Sequence, residues 1–257
     1  EDPIIDNVIE YRKLSKLKST YIDGLLKKVG EDGRIHTVFT QTVTQTGRIS
    51  STEPNLQNIP VRTELGRQLR KAFEAREGCT LIDADYSQIE LRVLAHIADD
   101  ENMKRAFIED RDIHTATAAQ VFGLPEAMVT PELRRRAKAV NFGIVYGIGA
   151  FSLAKDIGVT RKEAAAYIDG YLATYPEVDK YMHRVVEQAK EDGFASTMFG
   201  RRRLLPELKN SNAMLRAFGE RVARNMPIQG TAADIIKIAM IRVNDRLEKE
   251  LPDARLI

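Results

Sequence analysis

Helix start signals recur along residues 99–246, and this pattern constrains the fold more than any other feature of the sequence. Asp112, Thr130 followed by proline, and Thr160 followed three residues later by glutamate all favour helix N-termini. The pattern therefore predicts a helical lobe. Its expected elements are helices over 112–121, from Thr130, over 164–175, from Pro176 to near Gly193, over about 212–226 and over about 231–250, with a hairpin over 194–206.

The first part of the chain carries more varied patterns. Apolar residues at roughly helical spacing over 4–29 predict one long amphipathic helix. Alternation over 34–45 predicts a strand or hairpin, residues 46–62 a loop, residues 81–86 a strand, and residues 88–97 a helix. The predicted fold class is α+β, with a small sheet and a helical lobe inserted in it.

Charge and cysteine content exclude some classes of protein. The 257 residues include 39 basic and 37 acidic ones, so a net charge of +2 does not by itself predict a nucleic-acid partner. The single cysteine, Cys79, excludes an internal disulfide framework and predicts a reducing, cytoplasmic compartment. We expect Cys79 to be a buried small residue. No apolar stretch approaches the length of a membrane span, so no membrane partner is expected.

Two aspartates end the predicted strand over 81–86. Asp83 and Asp85 are two residues apart, so a strand would point both side chains to the same face. Carboxylates at such a strand end are suitable ligands for a divalent cation. The alternative is that they are ordinary acids before a helix N-terminus, where negative charge is favourable. The spacing alone leaves both interpretations open.

A stripe of cations and aromatics follows Thr130. Arg134, Lys138, Phe142 and Tyr146 recur every fourth residue, which places them along one side of a helix. Arginine and lysine bind phosphates, and an aromatic ring stacks on a base, so the stripe has the polarity of a nucleoside triphosphate. The alternative is that the aromatics are core residues and the arginines a solvated turn. Three glycines argue for close approach of another group, because glycine destabilises a helix interior: Gly143, Gly147 and Gly149.

Basic and amide side chains also cluster at several places in this nearly neutral chain. Arg221, Asn225 and Gln229 again step by four residues. Such groups suit phosphate and minor-groove contacts along a duplex, although any single one of them is equally consistent with a solvated basic face. The other clustered cations are Arg48, Arg62, Arg67, Arg70, Lys71, Arg201, Arg202, Arg203, Arg216 and Arg224.

Taken together, these segments resemble the polymerase domain of family A DNA polymerases. The resemblance runs over essentially the whole chain, and its motifs are long and in the family's order. The matching stretches are Thr46–Ser51, Asn55–Pro60, Asp85–Arg92, Arg134–Gly147 and Arg221–Asp234.

The resemblance implies a right-hand polymerase architecture of thumb, palm and fingers. Residues 1–33 would be the end of the thumb, 34–90 the first part of the palm, 91–194 the fingers and 195–257 the second, incomplete part of the palm. The implied reaction is attack of a primer 3′-hydroxyl on a template-paired deoxynucleoside triphosphate, with release of pyrophosphate. The implied cofactor is Mg²⁺, as two ions. The implied partners are primer-template DNA and deoxynucleoside triphosphates, for a nucleoid-associated monomer.

The resemblance also implies catalytic roles for three residues. Asp85 would be the carboxylate that bridges both metal ions, with the backbone carbonyl of Tyr86 as a further metal ligand. Glu90 would be the steric gate that excludes a ribose 2′-hydroxyl. Lys138 would donate a proton to the leaving pyrophosphate. Asp83 is expected to be an accessory acid without a catalytic role.

Further roles follow from the same resemblance. Phe142 would pack against the sugar, and phenylalanine here implies resistance to dideoxynucleotides. Tyr146 would hold the templating position. The implied nucleotide-binding set is Gln88, His114, Arg134, Lys138, Phe142 and Tyr146, and the implied DNA-binding set is Arg48, Arg221, Asn225, Gln229 and Tyr146.

One family motif is not found in this sequence. The second catalytic carboxylate of the family lies in a His-Asp-Glu turn, and these 257 residues contain no such tripeptide. We therefore expect the segment to be a truncated polymerase whose activity alone is uncertain. The alternative is a non-catalytic fragment that binds DNA or nucleotide. A single-chain RNA polymerase relative is the third interpretation, and Glu90 argues against it.

Overall fold

The computed structural model describes residues 3–61 and 63–257 and divides the chain into two compact units, Glu1–Asp85 and Tyr86–Ile257. Helices dominate, and two small antiparallel hairpins supply the strands of the described residues. The predicted α+β class is therefore confirmed. Arg62, one of the clustered cations, lies outside the described residues.

The first unit begins with a continuous helical run where a long helix is predicted. It comprises α1 (Pro3–Lys16), a π-helical segment (Leu17–Asp23) and α2 (Gly24–Leu26). The apolar side of α1 is exposed, including Ile4 and Ile9. Tyr21 is buried and donates a hydrogen bond of 2.5 Å to the carbonyl of Asn58, which ties the helical run to the following loop.

A two-stranded hairpin follows. Strand β1 (Val38–Thr40) pairs antiparallel with β2 (Ser50–Thr52), in the register Phe39 opposite Ser51. The prediction of a strand or hairpin over 34–45 is confirmed for β1, but its partner strand lies in the segment predicted as loop. Helix α3 (Glu64–Arg70) ends the regular structure of this unit, capped by the Thr63 hydroxyl, which accepts from the Gly66 amide.

The predicted strand over 81–86 is wrong, because this segment has no regular secondary structure. Its apolar side chains are exposed, Ile82 by 90%. A strand needs a neighbouring strand to pair its backbone groups, and none of the described strands pairs with this segment. Cys79, just before it, is exposed, so the prediction of a buried cysteine is also wrong.

The second unit is a helical lobe that carries one hairpin. Its helices and strands are α4 (Ile89–Ala98), α5 (Glu101–Ile108), α6 (Ile113–Phe122), α7 (Pro131–Val145), α8 (Ala150–Ile157), α9 (Arg161–Thr174), α10 (Pro176–Asp192), β3 (Phe194–Ser196), β4 (Arg202–Leu204) and α11 (Ala213–Glu250), with 3₁₀ turns at Glu126–Met128 and Pro206–Lys209. The main core is built on α4 to α10. Its largest fully buried side chains include Leu91, Leu94, Met103, Tyr171 and Tyr175. None of the helices in the described residues is long and apolar enough to cross a membrane.

The capping signals predict the helix starts of this unit correctly. Asp112 accepts from the Thr115 amide at the start of α6, and Thr130 accepts from the Leu133 amide at the start of α7. Thr160 and Glu163 form a complete capping box before α9. These side chains bind backbone amides that have no partner within the helix, which explains why their positions mark helix boundaries.

The prediction of two helices over 212–226 and 231–250 is wrong. A single 38-residue helix, α11, runs through Pro227. Proline removes one backbone hydrogen bond, which normally ends or kinks a helix. Here Met226, Pro227 and Ile228 are all buried, and α11 packs against α4 and α10. The packing of this buried section stabilises the helix despite the missing bond.

A buried carboxylate joins the β3–β4 hairpin to α11. Asp234 accepts hydrogen bonds from Arg201 at 2.6 and 3.0 Å and from the Thr197 hydroxyl at 2.8 Å. The Met198 amide in the turn donates to the Thr231 hydroxyl, one helical turn before Asp234. The hairpin over 194–206 is therefore confirmed, and these polar contacts hold its tip against the middle of α11.

We predict that Asp234→Ala destabilises the protein that carries this sequence. The change leaves the Arg201 guanidinium and the buried Thr197 hydroxyl without their acceptor, a loss expected to be about 2–3 kcal/mol because Arg201 keeps partial access to water. The measurement is the free energy of unfolding from urea titrations. The matched control is Glu250→Ala, which removes the exposed Arg246–Glu250 pair and should leave stability unchanged. Equal effects of the two changes would contradict the prediction.

Candidate functional site

Helix α7 presents the predicted stripe along one side and buries the other. Arg134 and Phe142 are half-buried, Lys138 is exposed, and Tyr146 just after the helix end is 41% exposed. The opposite side packs into the core and includes Ala137, Val140, Asn141, Ile144 and Val145. The helical stripe is therefore confirmed. Phe142 and Tyr146 are not among the buried core residues, which argues against the alternative interpretation of them.

Arg134 is oriented by an acid on α6. Its Nη2 and Nε atoms donate to the Asp112 carboxylate at 2.6 and 3.3 Å. Burial raises the pKa of Asp112, but hydrogen bonds from Arg134 and Thr115 outweigh this effect and bring the pKa to about 2. Because Asp112 uses only one edge of the guanidinium, the other N–H donors of Arg134 can bind a second anion.

His114 is the second residue of α6 and is 1% exposed. Its Nδ1 atom lies 2.9 Å from the side-chain amide nitrogen of Asn141 on α7, and its ring lies 5.8 Å from that of Phe142. Burial lowers the pKa of His114; the Asp112 carboxylate opposes this and the charges of Arg134 and Lys138 add to it, giving a pKa of about 4. His114 is therefore neutral near pH 7, and its Nε2 atom has no hydrogen-bond partner among the described residues.

The predicted gate residue contacts the C-terminal end of the stripe. Glu90, in the first turn of α4, is buried, and its Oε2 atom accepts a hydrogen bond of 2.9 Å from the Tyr146 hydroxyl. Gln88 is the N-cap residue of α4 and has a left-handed backbone conformation, with φ of 57°. Two predicted site residues from distant parts of the sequence, Glu90 and Tyr146, are thus brought into direct contact.

A cleft of about 650 Å³ lies beside the end of α7. Phe142, Tyr146, Ser152 and Asp156 line it together with Arg221 of α11. Residues Arg221, Asn225 and Gln229 follow one another at successive turns of α11. The Nδ2 atom of Asn225 is buried and, within residues 3–61 and 63–257, has no hydrogen-bond partner. Asn225 therefore has an unused donor.

The expectation that the three glycines admit an external group is not supported at two of them. A Cβ atom on Gly143 would lie 2.4 Å from Cγ2 of Ile148, so the neighbour that requires glycine there is a side chain of this protein. At Gly147, with φ of 65°, the neighbour is Arg221, whose Cγ would lie 3.2 Å from an added Cβ. Only Gly149, at the N-terminus of α8, has open space around its Cα.

The predicted metal ligands Asp85 and Tyr86 are exposed, as is Asp83. A carboxylate and a backbone carbonyl are hard oxygen donors of the kind that Mg²⁺ binds, and Mg²⁺ usually takes only one or two carboxylates besides water and phosphate. The chemical type of these oxygen donors therefore suits Mg²⁺. Within the part of the chain that the structure describes, however, no three His, Cys, Asp or Glu side chains lie together as a metal cluster. Arg48, in the loop before β2, is also exposed.

Sequence patterns did not reveal three polar residues around His114. Asn141 and Thr117 are fully buried, and Tyr175 is 1% exposed; the Thr117 hydroxyl lies 3.2 Å from Asn141 Oδ1 and 3.1 Å from the Tyr175 hydroxyl. One feature of the sequence does indicate Asn141. Asn141 interrupts the apolar side formed by Ala137, Val140 and Ile144, and a buried amide in such a position requires partners.

Comparison with known proteins gives the same family along the whole chain. The family model for DNA polymerase family A matches residues 1–257. DNA polymerase I of Bacillus caldotenax is 55% identical over 257 residues, covering 99% of this chain and 29% of that protein. The thermostable DNA polymerase I of Thermus filiformis is 53% identical over 247 residues, covering 96% and 30%. DNA polymerase I of Pseudomonas aeruginosa is 55% identical over 251 residues, covering 97% and 28%. The chain thus spans less than a third of each relative.

A solved structure is also similar. The POL domain of Pol1 from M. smegmatis, in complex with DNA primer-template and dNTP, superposes with a TM-score of 0.89 at 47% identity, covering 96% of this chain and 43% of that chain. The chain belongs to DNA polymerase family A.

We predict that His114 stays neutral until the pH approaches 4. Because its pKa is lower in the folded state than the usual 6.5, protonation favours unfolding, and stability falls as pH decreases from about 6.5 to about 4. Between pH 7 and pH 5 the loss should be about 2 kcal/mol. Urea unfolding of wild type and His114→Gln at both pH values measures the difference. A wild-type loss no larger than that of the variant would contradict the prediction.

Proposed function

We propose that the protein carrying this sequence is a template-directed DNA polymerase that adds deoxynucleotides to a primer 3′-hydroxyl and releases pyrophosphate. The observation that carries the proposal is the stripe on α7, which runs from the cations Arg134 and Lys138 to the aromatics Phe142 and Tyr146. Membership of DNA polymerase family A supports it. The M. smegmatis structure, which contains primer-template and dNTP, supports DNA and nucleotide partners for this chain.

In this proposal the chain has the right-hand architecture. Residues 1–33, of which Glu1 and Asp2 lie outside the described residues, belong to the thumb, 34–90 and 195–257 to the palm, and 91–194 to the fingers. The fingers assignment includes most of α4 and all of α5 to α10, whose shared core makes the stripe a rigid surface. A rigid surface suits the binding of a triphosphate in one orientation.

The N-terminal half of the stripe binds the triphosphate. Arg134, held by Asp112, keeps guanidinium donors for a phosphate oxygen, and exposed Lys138 supplies a second positive charge one turn later. Neutral His114, close enough to feel both charges, adds a hydrogen-bond donor without a third charge. Lys138 also donates the proton that the leaving pyrophosphate takes up. Gln88 contributes to nucleotide binding from the start of α4.

Asp85 and the Tyr86 carbonyl would hold Mg²⁺ in this proposal, with Asp85 shared by two ions. When bound, such ions lower the pKa of the attacking hydroxyl and neutralise the charge on the triphosphate. The exposed Asp85 carboxylate is accessible to hydrated ions. Asp83 takes no part in catalysis.

The C-terminal half of the stripe selects the sugar and the template. The ring of Phe142 packs against the deoxyribose, and phenylalanine at this position disfavours dideoxynucleotides. Glu90, held by the Tyr146 hydroxyl, occupies the volume that a ribose 2′-hydroxyl would need. Tyr146 itself supports the templating base.

Cations and amides of this chain contact duplex DNA in this proposal. Arg221, exposed beside the cleft, contacts the primer strand, and Arg48, Asn225 and Gln229 contact the minor groove and the template. The buried donor of Asn225, which lacks a protein partner within the described residues, supports this role because an amide can bind a minor-groove acceptor.

We predict that Asp85→Ala and Lys138→Ala each reduce primer extension by the full protein, by about 10²-fold or more. Neither change should abolish binding of primer-template, because the DNA contacts remain. The measurement is single-turnover incorporation of one dNTP in Mg²⁺, with DNA affinity measured separately. The matched control is Lys162→Ala, which removes another exposed lysine, on α9. Wild-type extension rates in Asp85→Ala would refute the catalytic assignment, and DNA binding without extension in the wild type would favour the non-catalytic alternative.

We predict that Glu90→Ala lowers the preference for deoxyribonucleotides over ribonucleotides by about tenfold or more. The shorter side chain opens the volume in which the 2′-hydroxyl would lie. Tyr146→Phe keeps the ring and removes only the hydroxyl that holds Glu90, so it should give a smaller change in the same direction. The ratio of kcat/KM for dNTP and rNTP measures both. Unchanged discrimination in Glu90→Ala would exclude the gate role.

A further inference from the structure

A buried polar chain connects α10 to the candidate triphosphate site. The Tyr175 hydroxyl, just before α10, lies 3.1 Å from the Thr117 hydroxyl on α6. The Thr117 Oγ1 atom lies 3.2 Å from Oδ1 of Asn141 on α7, and Nδ2 of Asn141 lies 2.9 Å from Nδ1 of His114. All four side chains are at most 1% exposed. Burial leaves the orientations of these side chains little freedom.

The amide of Asn141 determines where the imidazole proton lies. A neutral imidazole carries one N–H, and its other nitrogen accepts. An amide nitrogen only donates, so Nδ1 of His114 accepts from Asn141 and the proton lies on Nε2. Oδ1 of Asn141 faces the Thr117 hydroxyl, whose single proton is shared between this oxygen and the Ile113 carbonyl at 2.7 Å.

The Nε2–H group is a buried donor that no atom of the described residues satisfies. Such a group costs about 1–3 kcal/mol, a cost that persists in functional sites when a ligand supplies the acceptor. The nearby charges are the cations Arg134 and Lys138, with Asp112 paired to Arg134. An acceptor that carries negative charge, such as a phosphate oxygen, is therefore the group that this donor suits.

We propose that Asn141 is a positioning residue that holds His114 in the Nε2–H tautomer, so that His114 donates a hydrogen bond to a phosphate oxygen of the bound dNTP. The inference rests on the proposed function for its ligand. The opposite tautomer would present a lone pair to the phosphate and repel it. Thr117 and Tyr175 act on His114 only through Asn141.

The direct test is the tautomer in the full-length protein with ¹⁵N-labelled histidine. We expect ring shifts with a protonated Nε2 and an unprotonated Nδ1 for His114, whose resonances are assigned by their loss in His114→Gln. Addition of dTTP should shift the Nε2 resonance, whereas thymidine, which lacks phosphates, should not. A protonated Nδ1 in the wild type, or equal shifts with dTTP and thymidine, would overturn the inference.

The kinetics of two variants distinguish a positioning role of Asn141 from a purely structural role. Asn141→Leu removes both hydrogen bonds at similar volume and should raise the KM for dNTP by about tenfold or more, with a smaller effect on kcat. Thr117→Val is a second variant in case Asn141→Leu does not fold, and a rise of about threefold is expected because the amide loses only its oxygen-side partner. Thr174→Val is the matched control, because both threonines bond the carbonyl four residues earlier. Among the described residues, however, the Thr174 hydroxyl bonds only the Gly170 carbonyl, at 2.8 Å.

The outcomes distinguish this inference from the proposed function. If Asn141→Leu and Thr117→Val fold but leave both the His114 tautomer and the KM for dNTP at wild-type values, Asn141 is structural only and the inference fails. If the wild type binds no dNTP, the proposed function fails, and with it the phosphate role of His114. If the wild type extends primers and His114 carries its proton on Nδ1, only the inference fails.

Discussion

Helix α7 is buried along one side and accessible along the other, and the rest of the candidate site depends on this constraint. One side of this helix is packed against neighbouring helices of the second unit, so its rotation about its own axis is not free. The opposite side then presents Arg134, Lys138 and Phe142 in line, about 6 Å apart from one turn to the next. Because the buried side sets the position of the exposed side, core packing and ligand geometry are coupled through this one element.

The charged groups of the helical lobe also suit the accessible side of α7. Burial, assisted by the charges of Arg134 and Lys138, keeps His114 neutral, and the Asp112 carboxylate orients Arg134 while compensating one charge. A third positive charge at His114 would require desolvation of an imidazolium beside other cations, which is strongly unfavourable. The lobe thus holds a hydrogen-bond donor of fixed charge next to groups that attract anions, and the strength of that donor stays nearly constant over the pH range above its pKa.

Local chemistry made much of the fold predictable, and tertiary contacts explain what was not. Thr130 and Thr160 mark helix starts because their hydroxyls bind local backbone amides, an effect that needs no distant partner. Pro227 misled the prediction of α11, since the burial of Met226 and Ile228 outweighs a single missing hydrogen bond. The segment over 81–86 has the composition of a strand, but composition does not supply a pairing partner, and Cys79 is exposed beside it for the same reason.

In the candidate site, too, features that depend on one helix are predictable from sequence, and features that depend on tertiary contacts are not. A spacing of four residues was enough to predict the α7 stripe, because it depends on one helix alone. The Glu90–Tyr146 contact joins residues 56 positions apart, and its geometry depends on how α4 packs beside the end of α7. The glycines in this segment predict the close approach of an external group. In the structure, side chains of the protein itself, Ile148 and Arg221, fill the space beside Gly143 and Gly147. Asn141 interrupts the apolar side of α7 in the sequence, but the sequence does not identify the partners that its buried amide requires. Polar residues on the apolar side of a helix are therefore the positions where spatial structure adds most to a sequence-based description of such a site, since each must find partners that lie far away in the chain.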